Sequence, residues 1–311
     1  MTAVGSGLHR PSVEIVEVSP RDGLQADPSD LTTEQKIELV RRLVDSGLRR
    51  IEATSFVNPK AVPKMADAEE VMAGVPRLAG VRYSVLAFNP RGVERALAAG
   101  VDEINGVIVA TETFSQRNQN ATVAESIARW RRIADEARRA GLRTSVTISA
   151  SFGCAYEGEV PPATVVAIVE RLAEIGMDEL CLADTVGAAV PNRVTELVAA
   201  VRSVVGDLAL RAHFHNTRNT AVANVAAGLD AGVFTFDSSL GGVGGCPFSP
   251  RATGNVATED VVFMVERMGY RTGVSLAALI ATTEWFEGVL GHGVPSLVAK
   301  AGPFPSPGQP R

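Results

Sequence analysis

The chain has 311 residues, 46% of them hydrophobic and 21% charged, and its 30 basic against 35 acidic side chains leave a formal charge of −5. Apolar content near the globular average with ordinary charge excludes wholesale disorder. The mild acidic surplus is the opposite of a nucleic-acid binder's basic face, and the length exceeds that of a small sandwich or a lone nucleotide-binding half. Cys154, Cys181 and Cys246 are too widely spaced for a disulfide framework or a CxxC zinc pair, which fits a reducing compartment. The opening MTAVGSGLHR has no apolar run of the signal-peptide kind, and no charge-free apolar stretch is long enough for a bilayer. The expectation is a cytoplasmic enzyme or binding protein without membrane or nucleic-acid partners.

Taken in chain order, short β-rich runs alternate with helical periodicity. VEIVEVS (13–19) precedes a helix over Thr32–Gly47, opened by Thr32, Thr33 and Glu34 and closed by a glycine. RRIEATSF (49–56), RYSVLAF (82–88) and EINGVIVA (103–110) follow, then a helix over Ala121–Gly141 and RTSVTISAS (143–151). A helix over Pro161–Gly176, with proline at its start, leads to DELCLADT (178–185), LALRAHFH (208–215) and VFTFDSSL (233–240). At Gly47-Leu48, Gly100-Val101 and Gly141-Leu142 a helix-ending glycine stands just ahead of the next strand, the αβ turn of a parallel sheet.

Eight strands, each followed by a helix, predict a closed (β/α)₈ TIM barrel over about 13–270, since about 250 residues is typical of that fold. A doubly wound open sheet would carry a G-x-G-x-x-G turn after its first strand, and SPRDGLQ is not one. Residues 275–292 read as an additional helix, and 301–311, rich in Pro and Gly, as a loosely held tail of the same single domain.

Reactive residues in such a barrel gather at the C-terminal ends of the strands. Strand one ends in Pro20-Arg21-Asp22-Gly23-Leu24-Gln25, strand two contains Glu52, strand six ends in Asp184-Thr185 and strand seven in His213-Phe214-His215-Asn216. The strand interiors read as apolar by contrast. Period-two alternation sends both imidazoles to one face. A divalent metal suits that pair, with a carboxylate such as Asp22 to complete the set; two satisfied histidines are the plainer alternative. Arg21 can bind a carboxylate or a developing enolate oxygen, or simply close the first loop as an ion pair with Asp22. Glu52, a carboxylate among apolar neighbours, needs a partner, and Arg21 is the candidate; that arrangement is as structural as it is catalytic. Leu240–Pro247 has four glycines in five positions and reads as a mobile lid rather than core, with Cys246 at its tip. Glu259, after Thr258, reads as a first-turn acid of the next helix.

VSPRDGLQ, IEATSFVNPKAVPKMADA, ASFGCAYEG, LADTVGAAVP, HFHNT and GGVGGCPFSPRATGNVATED together resemble the 3-hydroxy-3-methylglutaryl-CoA lyase family of metal-dependent TIM-barrel lyases, from about residue 13 to about 292. The resemblance implies Mg²⁺ or Mn²⁺ held by Asp22, His213, His215 and Asn255. It implies catalytic roles for Arg21, Asp22, Glu52, Asp184 and Cys246, substrate binding by Arg21 and Gln25, and support from Glu259. The implied reaction is retro-Claisen cleavage of a 3-hydroxy-3-methylglutaryl thioester to acetyl-CoA and acetoacetate, with an acyl-CoA as the partner molecule and a homodimer or higher oligomer as the assembly.

The chain departs from the family at one place. Where members read H-x-H-D-T-Y-G, it has His213-Phe214-His215-Asn216-Thr217-Arg218-Asn219, which raises a change in local charge or in acyl preference. Two other readings compete: a condensing synthase of the isopropylmalate or homocitrate type, and a non-catalytic acyl-CoA-binding relative.

Overall fold

The computed structural model describes residues 11–245 and 254–305. Its barrel strands are β1 (Glu14–Glu17), β2 (Arg50–Ser55), β3 (Arg82–Leu86), β4 (Glu103–Val109), β5 (Arg143–Ser149), β6 (Glu179–Asp184), β7 (Ala209–Phe214) and β8 (Thr235–Ser238). Each runs parallel to the next, and β8 pairs with β1 through Glu14–Thr235 to Glu17–Ser238, closing the ring. All eight inferred strands are present, trimmed at their ends.

The outer helices follow from the sequence in the same way. The helix Thr33–Asp45 starts on a reciprocal cap: the Thr32 hydroxyl accepts from the Gln35 N–H while the Gln35 side chain accepts from the Thr32 N–H. It buries Leu39, Val40, Leu43 and Val44 against the barrel. Val123–Arg139, Pro162–Ile175 and Leu276–Leu290 stand where helices were expected. Three small elements carry no clear signal in the sequence: the helix Glu112–Gln119, the pairing of Gly153–Cys154 with Gly158–Glu159, and the helix Leu297–Ala301. Of the expected tail, 306–311 lies outside the described residues. Among the described residues no helix is long and apolar enough to cross a membrane.

The expectation of apolar strand interiors is wrong for the lower half of the barrel. Arg50, Glu103, Glu179 and Arg211 all point into it and are at most 1% exposed. Arg50 donates to both oxygens of Glu103 (2.6 and 3.1 Å) and of Glu179 (2.7 and 2.8 Å). Arg211 pairs with Glu179 at 2.9 Å and with Asp237 at 2.9 Å. The cause is the period of two: at the start of RIEATS the inward positions are Arg50 and Glu52, and the apolar Ile51 between them faces the helices. Alternation was visible, but its polar members face inward.

Removing one partner from such a network strands a buried charge. Arg50→Met is expected to cost about 3–5 kcal/mol, read as a lower urea midpoint, while Arg41→Met, at a half-exposed helix position, should stay within about 0.5 kcal/mol.

Candidate active site

After β1 the chain makes one wide turn, Ser19–Gly23, in which the N–H groups of Arg21, Asp22 and Gly23 all return to the Val18 carbonyl. Wide turns of this kind recur at functional sites. This one presents Arg21 and Asp22 over the barrel mouth. Arg21 Nε donates to Glu52 Oε2 at 2.7 Å and Nη1 to Asp22 Oδ1 at 2.8 Å. Glu52 itself stands at a register shift between β2 and β3, where Ala53 is the extra residue, and a bulge re-aims its neighbours. Burial alone would lower the Arg21 pKa, but Glu52 and Asp22 more than reverse this, so the guanidinium stays charged.

Asp22, His213 and His215 bring one ligand atom each to within 4.8 Å of one another, the one such cluster among the described residues. The imidazole centroids are 5.1 Å apart. Against burial, which would raise it, Arg21 and then the two histidines hold the Asp22 carboxyl down at about 2. Burial, then His213, push His215 down to about 4, so at neutral pH it is an uncharged imidazole. Burial also works against protonation of His213, but Asp237 raises its pKa: Nδ1 lies 3.1 Å from Asp237 Oδ2. That contact leaves Nε2 as the free ligand atom. Asn255 Nδ2 donates to Asp22 Oδ2 at 2.9 Å and to the Val243 carbonyl at 3.2 Å. Its Oδ1 is thereby left buried with no partner, as is His215 Nδ1. An ionised carboxylate, two imidazoles and an orphaned amide oxygen are a donor set that fits a divalent cation of the Mg²⁺ or Mn²⁺ kind.

This cluster walls one side of a cavity of about 500 Å³ at the C-terminal mouth, together with Arg21, Gln25 and Asp237. Leu86, Val107, Val109 and Phe114 form an apolar wall, and Thr147, Ser149 and Thr185 add hydroxyls. The sequence candidates divide accordingly. Arg21, Asp22, Gln25, His213 and His215 line the cavity, with Glu52 and Asn255 bonded directly behind them. Asp184 does not line it. On β6 the inward positions are Glu179, Cys181 and Ala183, so Asp184 points outward, and its two oxygens accept from the N–H groups of Ala188 and Ala189, both at 2.9 Å. Cys246 lies outside the described residues.

The described part of the glycine-rich stretch is packed rather than lid-like: Leu240–Gly242 forms a tight turn, and Leu240 to Val243 are buried. Two buried carboxylates hold it, Glu17 accepting from the Leu240 N–H at 2.9 Å and Glu259 from the Gly241 N–H at 3.0 Å. Glu259 is therefore more than a first-turn acid; it also accepts the Thr283 hydroxyl. Two glycines are needed for close approach. A Cβ on Gly244 would lie 2.6 Å from Asn255 Nδ2, and one on Gly254 2.5 Å from the Gly244 carbonyl oxygen, so Asn255 reaches Asp22 only because both are bare.

The departing residues lie away from the cavity wall. Asn216 Oδ1 accepts from the Ala221 N–H, Arg218 donates to the carbonyls of Val186 (2.8 Å) and Gly187 (3.0 Å), and Asn219 holds a left-handed φ of 56°, which asparagine tolerates better than most residues. Sequence reasoning missed Asp237 and Asn105. Both are inward positions on their strands and could have been found by extending the alternation from the histidines.

A parallel barrel with an acid–histidine cluster ready for a metal, a buried Arg–Glu pair and a cavity between them defines a TIM-barrel enzyme acting at its C-terminal mouth. The HMGL-like family model matches residues 12–285, and the chain belongs to that family, the carbon–carbon lyases of the hydroxymethylglutaryl-CoA lyase kind. It is 42% identical over 302 residues to the (R)-citramalyl-CoA lyase of Chloroflexus aurantiacus, covering 94% of this chain and 95% of that protein. It is 42% identical over 284 residues to a hydroxymethylglutaryl-CoA lyase of Bacillus subtilis, covering 91% and 95%. Among solved structures, an Acinetobacter baumannii HMG-CoA lyase in complex with coenzyme A and 3-methylmalate superposes with a TM-score of 0.92 at 39% identity, covering all of both chains.

Two outcomes test the site. Saturating Mn²⁺ is expected to raise the thermal midpoint of the wild type, by about 2.7 kcal/mol of stability at a hundredfold excess over Kd, and to leave His215→Ala unmoved. Glu259 concerns pH: burial raises its carboxyl from 4.5 to about 7, so the folded state holds its proton longer than the unfolded chain. Stability from this group is full below pH 4.5 and lost as pH rises to about 7. Urea unfolding of Glu259→Gln should show a fall across that window shallower by about 1–3 kcal/mol; equal slopes would count against it.

Proposed function

We propose that the protein is a divalent-metal-dependent acyl-CoA lyase that cleaves 3-hydroxy-3-methylglutaryl-CoA, or a closely related tertiary 3-hydroxyacyl-CoA, by a retro-Claisen reaction. The observation that carries this reading is the joining of Arg21 to the Asp22–His213–His215 cluster on the wall of one cavity. In the reaction the substrate hydroxyl loses its proton, the bond between C2 and C3 breaks, a ketone forms at C3, and the thioester enolate takes a proton at C2 to become acetyl-CoA.

Mg²⁺ or Mn²⁺ held by Asp22, His213, His215 and Asn255 supplies Lewis-acid polarisation of substrate oxygens. Arg21 faces the cavity with its other donors tied to Glu52 and Asp22, so its charge is preorganised for the oxygen that becomes the enolate. Glu52 keeps the guanidinium aimed, and Asp22 is ionised throughout the neutral range. Gln25 stands at the same wall to orient the acyl group. Cys246 is the proposed proton donor to the enolate carbon. Asp184 and Glu259 act from behind, holding the loops after β6 and β8.

The acyl group is the finer question. The relatives at 42% identity bear two names, one for each of two thioesters, which differ by one methylene between the carbinol carbon and the distal carboxylate. The products separate them, acetoacetate from the methylglutaryl thioester and pyruvate from the citramalyl one. Purified protein with Mn²⁺ is expected to release acetyl-CoA and acetoacetate faster than acetyl-CoA and pyruvate, with turnover abolished by chelator. Release of pyruvate alone would move the assignment to the shorter substrate, and acetyl-CoA consumption with a 2-oxo acid would favour the synthase. Arg21→Met should lower kcat by about a hundredfold or more while Mn²⁺ affinity survives.

A further inference from the structure

Glu52 accepts a hydrogen bond from a second side chain besides Arg21. Asn105 Nδ2 on β4 donates to Glu52 Oε1 at 3.1 Å, while Arg21 occupies Oε2. On β3, which lies between β2 and β4, the residue in register with Glu52 is Ser84, whose side chain is small. On its other side, Asn105 Oδ1 accepts from the Thr147 hydroxyl on β5 at 3.2 Å. The amide orientation is fixed chemically. A carboxylate that also pairs with a guanidinium can only accept, and the Thr147 hydroxyl takes Oδ1 as its acceptor, so the NH₂ must face Glu52. Asn105 is 3% exposed and Glu52 1%, so no solvent competes for these bonds.

We propose that Asn105 is a positioning residue for the reaction: by holding Glu52 Oε1 it fixes the carboxylate plane and thereby the aim of Arg21 into the cavity. Without it Glu52 keeps one partner, and the carboxylate is free to rotate about its last torsion with Arg21 attached. The same amide stands above the barrel floor, where Ser145 Oγ, 3.3 Å from Asn105 Oδ1, gives its one proton to Glu103 at 2.6 Å. The proposal rests on the lyase reading for the role of Arg21, but not for the bond itself.

Two variants test it in the Mn²⁺-loaded full-length protein. Asn105→Asp keeps the shape and the acceptor for Thr147 but removes the donor to Glu52; Asn105→Ala removes both. Both are expected to lower kcat about 10- to 100-fold, with KM for the acyl-CoA and Kd for Mn²⁺ each within about twofold of wild type, a split that loss of packing alone does not produce. A crystal structure of Asn105→Asp is expected to show the Arg21 guanidinium displaced from its wild-type position. Wild-type kcat in Asn105→Asp, or an unmoved Arg21 in that structure, overturns the proposal. If the wild type turns over no thioester, the lyase reading fails, and the position of Arg21 in the variant structure still decides whether Asn105 sets it.

Discussion

Glu179 sits between two buried guanidiniums, Arg50 from β2 and Arg211 from β7, and this shared carboxylate is the joint on which the rest of the interior hangs. From it one branch runs through Arg50 to Glu103, and the other through Arg211 to Asp237 and on to His213. Burial raises the Glu179 pKa, but Arg211 and Arg50 outweigh it and hold the group ionised. Buried ion pairs add little net stability, because desolvation offsets the attraction, yet each is costly to break singly. Their effect here is geometric. A one-residue slip of any strand would turn its charge out among the helices and bring an apolar side chain in. The network therefore fixes the register of strands whose upper ends carry the site.

That explains how a metal-ready cluster can be assembled from distant parts of the chain. His213 and His215 come with β7, Asp22 with the turn after β1, and Asn255 from beyond β8. Asp237 lies at the junction, accepting from Arg211 through one oxygen and meeting His213 with the other. Burial would raise its pKa, but Arg211 and then His213 lower it, so it faces the ring as a carboxylate. The Asn105 bridge repeats the logic on the opposite side: a group from the fixed floor reaches up to orient one that faces the cavity. Positional precision at the mouth is inherited from the strands.

Most of the architecture was legible because strands and helix caps are local. Thr32, Gly47 and Gly141 mark element ends through their own chemistry, and the eight apolar runs survive as eight strands. The histidine pair was legible for the same reason, since alternation along one strand puts both rings on one face. What local pattern could not supply was the inside of the ring. Arg50 and Arg211 look like solvent-facing charges in a half-buried strand, and only closure shows that the two meet across the barrel at Glu179. Asp184 shows the converse: an acid at a strand end reads as part of the site, yet its parity sends it outward to Ala188 and Ala189. The glycines after β8 read as freedom, whereas Glu17 and Glu259 make Gly241 and its neighbours a packed turn.

The residues that depart from the family pattern can be weighed on the same footing. Arg218 holds the loop after β6 by the carbonyls of Val186 and Gly187, and Asp184 holds it by the N–H groups of Ala188 and Ala189. The loop is thus pinned by a cation on its carbonyl side and an anion on its amide side. Its first residue, Thr185, lines the cavity and accepts from the Ala150 N–H at 3.0 Å. Asn216, Arg218 and Asn219 do not line the cavity themselves; Arg218 meets it through this loop, and Asn216 through its N–H on the Gly254 carbonyl, beside Asn255. Both carbonyl bonds come from Nη1 of Arg218, and its charge also acts on Asp184, the acid that holds the same loop. The residues that line the cavity directly are instead the apolar Leu86, Val107 and Val109 and the hydroxyl-bearing Thr147 and Ser149.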